Sequence, residues 1–165
     1  GTSARTMGIA VTDVGTTQQL PLGFEYHKPA DATNNTGEEV WVYILADEAL
    51  VEGDIVEVNT DYGNPYHGIQ ANASTVNKVL LGVAQHVIAI SNYGFIQKRG
   101  HANYVKGDGS IAAGNPIISH AAGAADLWVD GEEEQIFGYA LTADASDTSL
   151  SASQVVFSAM INCGV

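Results

Sequence analysis

The residues that could carry out chemistry are scattered along this chain instead of being grouped in motifs. The five histidines follow no HxH or HExxH spacing; they are His27, His67, His86, His101 and His120. A zinc site gathers three or four imidazole, thiolate or carboxylate ligands at one point, and these histidines have no spacing that places two of them on one face beside a carboxylate. We therefore predict that each histidine is structural and that the protein has no metal site.

Two acidic clusters offer oxygen atoms of the kind that calcium prefers. Their sequences are DGEEE at residues 130–134 and DASD at residues 144–147. Neither cluster follows the order of ligands in a calcium-binding loop, so we interpret both as solvated turns.

Sequence motifs for a nucleophile or a phosphate-binding loop are also missing, since the chain has no GxSxG, no P-loop and no GxGxxG. The segment KGDG at 106–109 is rich in glycine, but no helix is predicted after it whose N-terminus could bind a phosphate. We predict no catalytic residue and no cofactor, and hence no enzyme. A small hydrolase is the enzymatic alternative, and it lacks a grouped nucleophile and acid/base pair.

The composition indicates one acidic, glycine-rich domain. The 165-residue chain has nineteen Asp and Glu residues and six Lys and Arg residues, so its net charge is −13. Such a surface repels phosphate groups, which argues against nucleic acid and anionic membrane as partners. No signal peptide is predicted, and no apolar run approaches the length that spans a bilayer. The single cysteine, Cys163, excludes an intrachain disulfide and is interpreted as a small apolar residue on a terminal strand.

One basic spot stands out against this acidic background. Lys98 and Arg99 follow Tyr93 and Phe95, and arginine and aromatic residues are enriched in interface hot spots. We predict that this patch contacts another protein, with a basic pair at the end of a strand as the alternative. Further candidates for this contact come from the N-terminal segment and the long polar loop at 59–76: Leu20, Leu22, Phe24 and Tyr66.

The elements that position these residues are predicted to be β-strands. The stretch at 77–100 is the longest apolar segment, and its glycines favour two or three strands, the last ending at Gly100. Residues 39–46 (EVWVYILA) are apolar on both faces and predict a central strand. Other strands are expected at 55–58, 116–119, 135–142 and 154–162.

The N-terminal residues 1–35 differ from the rest, because short apolar clusters alternate with Thr, Gln, Asp and Pro. We predict an extended arm at 1–35 and a single β domain at 36–165, with a loop packed on its own domain as the equal alternative. If the arm is free, deleting residues 1–20 should leave the domain folded and weaken attachment to a partner.

Two parts of the sequence resemble each other, mainly at glycines. At an offset of 61, YI at 43–44, Asp47, Leu50 and Gly53 fall on YV at 104–105, Asp108, Ile111 and Gly114. Further on, LGVA at 81–84 corresponds to FGYA at 137–140. This weak duplication predicts an all-β protein, a compact β-barrel or β-sandwich of the β-tulip type.

The order of these segments resembles a family of tailed-phage structural proteins, the small β-rich capsid decoration or cement proteins. The segments that carry the resemblance are QLPLG at 19–23, VY at 42–43, ALVEGDIV at 49–56, LGVAQ at 81–85, YGFIQ at 93–97 with Gly100, IAAGN at 111–115 and IFGYA at 136–140. The resemblance implies a protein of the virion, located on the capsid exterior and in the host cytoplasm during assembly. It implies binding to the major capsid protein and to itself, as a homotrimer, without catalysis.

A carbohydrate-binding or adhesin-like β module is the alternative to this function. It would offer Trp41, Trp128 or Tyr66 to sugars, and burial of both tryptophans would argue against it.

Overall fold

The computed structural model describes residues 8–72, 79–131, 135–151 and 153–163, and it confirms the all-β prediction. Short 3-10 turns occur at Thr60–Tyr62 and Ala121–Gly123. The strands are β1 (Glu25–Lys28), β2 (Glu39–Ala46), β3 (Ile55–Val58), β4 (His67–Gln70), β5 (Leu80–Val83), β6 (Tyr93–Lys106), β7 (Pro116–Ser119), β8 (Ala125–Leu127), β9 (Gly138–Ala140), β10 (Ala145–Asp147) and β11 (Gln154–Asn162).

The first unit is a closed five-stranded barrel. Its strands follow the order β2, β4, β3, β5 and β6, and β6 pairs with β2 to close the circle. The apolar pattern of β2 explains its central place, because one face points into the barrel and the other is covered from outside. Branched aliphatic residues and alanine fill the interior: Val42, Ile44, Ala46, Leu50, Val56, Leu81, Ala84, Ile88 and Ile96.

The second unit is built on the second half of β6. This strand continues past Gly100 to Lys106 and pairs there with β11, which is followed in the sheet by β9, β7 and β8. The prediction that the strand ends at Gly100 was therefore wrong. Gly100 lies inside the strand at φ +104°, and a Cβ there would come within 2.6 Å of the Glu38 carbonyl oxygen. It lets β6 serve both units.

The two units repeat the same backbone hydrogen bonds, which confirms the predicted duplication. The N–H of Gly53 donates to Ala84 at 2.7 Å, and the N–H of Gly114 donates to Ala140 at 2.7 Å. Both glycines have positive φ, 91° and 87°. The sequence offsets thus identify real structural equivalents.

Strand register extends this equivalence to the outer strands. Val83 of β5 lies opposite Gln97 of β6, and in the second unit Tyr139 of β9 lies opposite Met160 of β11. The residues Val83 and Tyr139 are therefore equivalent, as are Gln97 and Met160.

The two units differ in closure. In the first unit β4 pairs with the end of β2, whereas among the described strands β8, which corresponds to β4, does not pair with β6. At Tyr104, whose equivalent Tyr43 exchanges backbone hydrogen bonds with Gly23 and Phe24 in the first unit, the partner is the side chain of Gln85. Its amide donates to the Tyr104 carbonyl at 2.8 Å and accepts from the Tyr104 N–H at 3.0 Å. A side-chain amide thereby satisfies a strand edge.

One apolar core joins the two units into a single body. Ile55 and Val83 face away from the barrel interior and pack against the second unit. Their partners in this core come from the second half of β6 and from the strands and turns that follow it: Ala102, Val105, Ile111, Ile117, Ala125, Phe137, Ala140, Phe157, Ala159, Ile161 and Cys163.

The described part of the N-terminal segment, residues 8–35, lies against the first unit. β1 pairs antiparallel with β2, and the N–H of Gly23 donates to the Tyr43 carbonyl at 2.8 Å. Residues of this segment cover an aromatic cluster of Trp41, Tyr43 and Phe95: they are Ile9, Val11, Leu20, Leu22 and Tyr26. We call them the N-terminal cover. Of the two predicted arrangements, packing on its own domain describes these residues.

The stretch at 77–100, predicted to hold two or three strands, contains two in its described part: the start of β6 and, before it, the short strand β5. The chain then turns, and Ile88 forms an isolated bridge to Leu50, while Val87 and Ile90 point outward. The strand predicted at 135–142 covers only Gly138–Ala140 in the structure, so it is shorter than predicted. Residues 77 and 78 lie outside the described part of the chain.

Candidate docking surface

Large apolar side chains are exposed on the outer face of the second unit. Tyr139 and Met160 lie opposite each other on β9 and β11, with exposures of 54% and 49%. Their neighbours Gly138 and Ala140 are buried, because successive side chains of a strand point to opposite faces. Leu141 is the next outward residue and is also exposed.

A second row of side chains continues this face toward the first unit. Asn162 lies opposite Arg99, Arg99 opposite Val40, and Val40 opposite His27. Together the rows form an open groove of about 890 Å³, which we call the outer groove. Its lining consists of His27, Glu38, Val40, Arg99, Gly100, Ile136, Phe137, Gly138, Tyr139, Met160, Ile161 and Asn162.

The two basic residues in and beside the outer groove, Lys98 and Arg99, differ in whether they have an acidic partner. Lys98 forms an ion pair with Glu25 at 2.5 Å, and this hydrogen bond is the main cause that lowers the pKa of the Glu25 carboxyl. Arg99 is exposed, and among the described residues no carboxylate lies within ion-pair distance of it. Its guanidinium is therefore available to an acidic group from outside the chain.

The predicted contact residues do not form one surface. Arg99 lies in the outer groove, while Lys98 is engaged by Glu25. Tyr93 stacks on Tyr43 with ring centroids 6.3 Å apart. Phe95 is fully buried between the barrel wall and the N-terminal cover, so it is not available to a partner, contrary to the prediction.

The remaining predicted contact residues, Leu20, Leu22, Phe24 and Tyr66, pack against the first unit. Leu20 and Leu22 are half-buried in the N-terminal cover, and Phe24 is partly exposed beside Phe95 in an edge-to-face arrangement. Tyr66 packs against the barrel core. None of these four residues lines the outer groove, in which Arg99 lies.

The exposed residues Tyr139, Met160 and Leu141 were not among the predicted contact residues. A signal for them exists in the sequence, since β11 (QVVFSAMIN) and the segment around β9 (FGYAL) carry apolar residues on both faces. A strand with two apolar faces needs a cover on each.

A histidine and a carboxylate form a close pair at one end of the five-stranded barrel. Nδ1 of His67 is 3.0 Å from Oδ2 of Asp47, which also accepts from the Asn59 amide at 2.9 Å. The ring of Tyr62 stacks on the imidazole with centroids 4.8 Å apart. An Asp–His pair orients an imidazole for general base catalysis when a hydroxyl or thiol nucleophile adjoins it. Here the carboxylate contacts the Asn59 amide and the imidazole contacts the Tyr62 ring, and the pair fastens β4 to the end of β2.

In the acidic cluster at 144–147, a carboxylate stabilises the turn that follows it. Asp147 accepts hydrogen bonds from the N–H and the hydroxyl of Ser149, which lower the pKa of its carboxyl. Residues 132–134 of the other cluster lie outside the described part of the chain.

Among the described residues, no three histidine, cysteine, aspartate or glutamate side chains are arranged to hold a metal ion. In that same part of the chain, no helix is long and apolar enough to cross a lipid bilayer.

Comparisons with known proteins found a match in fold alone. No protein-family model matches the chain, and no curated protein matches it. A solved structure, the N base of the head fiber gp8.5 in bacteriophage phi29, aligns with a TM-score of 0.51 and 14% sequence identity. The alignment covers 77% of this chain and 98% of that one. The two proteins therefore share most of a β fold, with little similarity in sequence.

Proposed function

We propose that this chain is a structural protein of a phage virion that binds the outer surface of the capsid and stabilises it. The observation that carries the proposal is the fold shared with the N base of a phage head fiber, over nearly the whole length of that base. The sequence resemblance to capsid decoration proteins, noted above from short glycine-rich segments, supports the same role. The major capsid protein is the proposed partner, and the capsid exterior the proposed location.

Self-association and the lack of catalysis belong to the same proposal. We infer a homotrimer without an active site. The exposed apolar face of the second unit supports self-association, because such a face is usually covered by another protein. The contacts of the His67–Asp47 pair with the Asn59 amide and the Tyr62 ring support a structural role over a hydrolytic one.

A particle-binding experiment tests the role directly. The purified full chain is mixed with particles of the source virus assembled without it, and the particles are collected by sedimentation. We expect saturable binding and a higher temperature of capsid disruption, whereas an unrelated protein of similar negative charge stays in the supernatant. Particles that sediment without the chain, with unchanged heat resistance, would contradict the proposal.

The carbohydrate-binding alternative loses one of its three aromatic residues. Trp41 is buried in the aromatic cluster and donates its indole N–H to Glu39 at 3.1 Å. Trp128 is only half-buried, but its indole nitrogen is enclosed. Trp41, Trp128 and Tyr66 lie in or next to three different strands, β2, β8 and β4, and Tyr66 packs against the barrel core.

A further inference from the structure

The outer face of the second unit corresponds to a face of the first unit that is buried inside the same chain. We propose that this exposed face, centred on Tyr139 and Met160, is covered by a second copy of the chain in the assembled protein. The inference deepens the proposed structural role, because it assigns the self-contact to a particular surface.

Structural equivalence between the units supports this assignment. Three residues of the first unit meet the second: Val83 packs in the shared core, Gln85 binds the Tyr104 backbone, and Gln97 donates to the His101 carbonyl at 2.9 Å. By strand register and by the match of 81–84 with 137–140, Tyr139 is equivalent to Val83, Leu141 to Gln85 and Met160 to Gln97.

Burial is reversed between the two sets of residues. Val83 and Gln97 are almost completely buried, whereas about half of each side chain is exposed at Tyr139, Leu141 and Met160. The fold thus uses this face of a unit to pack against another β unit. In the second unit the face has the same backbone, larger apolar side chains and no cover from the described chain, so a β unit from a neighbouring copy fits the same role.

Charge complementarity favours the same occupant. The outer groove contains Arg99 without a carboxylate partner among the described residues, and the chain carries 19 acidic residues against six basic ones. If the groove of one copy meets a different face of the next, Arg99 faces an acidic surface instead of another Arg99. Head-to-tail contacts of this kind close into rings when the rotation between neighbouring copies permits closure. The remaining negative charges of the copies repel each other, so added salt should strengthen association.

Sedimentation velocity of the full chain over a range of concentrations tests the proposal. The variant Tyr139→Ser/Met160→Ser should weaken association at least about tenfold, because it removes the apolar centre of the contact. The matched control is Val87→Ser/Ile90→Ser, which alters two apolar side chains of similar exposure, 45% and 59%, in a different turn. It should associate like the original chain.

A charge variant provides a second measurement. Arg99→Gln should weaken association, and Lys28→Gln, which makes the same change in charge outside the groove lining, should not. Far-UV circular dichroism and thermal melting establish that each variant is folded. Retention of full association by the folded Tyr139/Met160 variant, or a monomeric original chain at high concentration with and without added salt, would overturn the proposal.

Particle binding separates this inference from the proposed function. If the Tyr139/Met160 variant associates normally but no longer binds particles, the face contacts another virion protein and the inference is wrong while the function stands. If the original chain self-associates through this face yet binds no particle, the inference stands and the capsid role fails.

Discussion

Cys163 is the single cysteine of the chain, and it is buried in the core between the two units. Burial raises the pKa of its thiol to about 12, although Lys98 opposes the shift. Because the thiolate is the reactive form, we predict no reaction with a disulfide reagent such as DTNB in the native protein at pH 8 and one equivalent of released thiol in denaturant. Rapid labelling of the native chain would show that this core opens readily.

Asp54 is a fully buried carboxylate at the junction of the units. It accepts hydrogen bonds from the Val51 N–H, the Gln70 amide and the ammonium of Lys106, the last at 3.3 Å. Replacing Lys106 by Met leaves the carboxylate without its cation, so we expect a loss of about 3 kcal/mol in urea unfolding. The control Lys28→Met should change stability by less than about 0.5 kcal/mol. Equal effects of the two variants would contradict this account.

His86 is expected to make the stability of the fold sensitive to mild acid. Burial lowers the pKa of its imidazole, with partial compensation by Glu52, and its Nε2 is enclosed without a hydrogen-bond partner. The unfolded chain, with a histidine pKa of about 6.5, therefore binds this proton more readily than the folded chain. Stability should fall as the pH drops from 7 to 5.

The variant His86→Gln isolates that contribution. It should flatten the dependence of the unfolding free energy on pH in this window, where a single group contributes at most about 1.4 kcal/mol per pH unit. Identical slopes for the two proteins would assign the acid sensitivity to other groups.

At the scale of strands, the duplication depends on glycines where backbones approach closely. A Cβ on Gly82 would lie 2.4 Å from the Gln97 carbonyl oxygen, and one on Gly138 would lie 2.4 Å from that of Met160. We expect Gly82→Ala and Gly138→Ala each to cost about 2 kcal/mol or more, because backbone atoms cannot yield as side chains do. Chemical denaturation measures both.

Gly37 provides the matched control for these substitutions. A Cβ there meets nothing within 4 Å, and its φ is not positive. Gly37→Ala should leave stability within about 0.5 kcal/mol of the original. If only one of the two strand glycines proved sensitive, the units would be equivalent in geometry but not in their packing tolerance.

At the scale of the whole molecule, the N-terminal cover determines what a truncation does. Removing residues 1–24 would expose the aromatic cluster of Trp41, Tyr43 and Phe95 and remove the bonds of Gly23 and Phe24 to Tyr43. Losing several buried apolar contacts should cost about 3 kcal/mol or more. Thermal melts should therefore show a midpoint lower by roughly 10 °C, in place of the unchanged midpoint expected for a free arm.

The opposite result has a clear meaning. An unchanged midpoint for the chain that lacks residues 1–24 would show that the cover contributes little, and that its apolar residues serve a partner. Dye binding to newly exposed apolar surface, measured on the same samples, distinguishes a loosened domain from an intact one.

Local chemistry in the sequence was sufficient to predict the strands' character and the duplication. The β-branched pattern at 39–46 depends only on neighbouring residues, and the equivalence of Gly53 with Gly114 reflects a positive φ that glycine adopts without strain. These requirements act within a few residues, so they leave a pattern that can be recognised in sequence alone.

Exposure was decided by the tertiary structure. Val83 and Tyr139 occupy equivalent positions in equivalent strands, yet the first is fully buried and the second is half exposed, because only the first unit has another unit packed on that face. Phe95 is covered by a segment about seventy residues earlier in the chain, and Gly100 passes β6 from one unit to the next. Such packing depends on contacts between distant residues, for which the local pattern carries no signal.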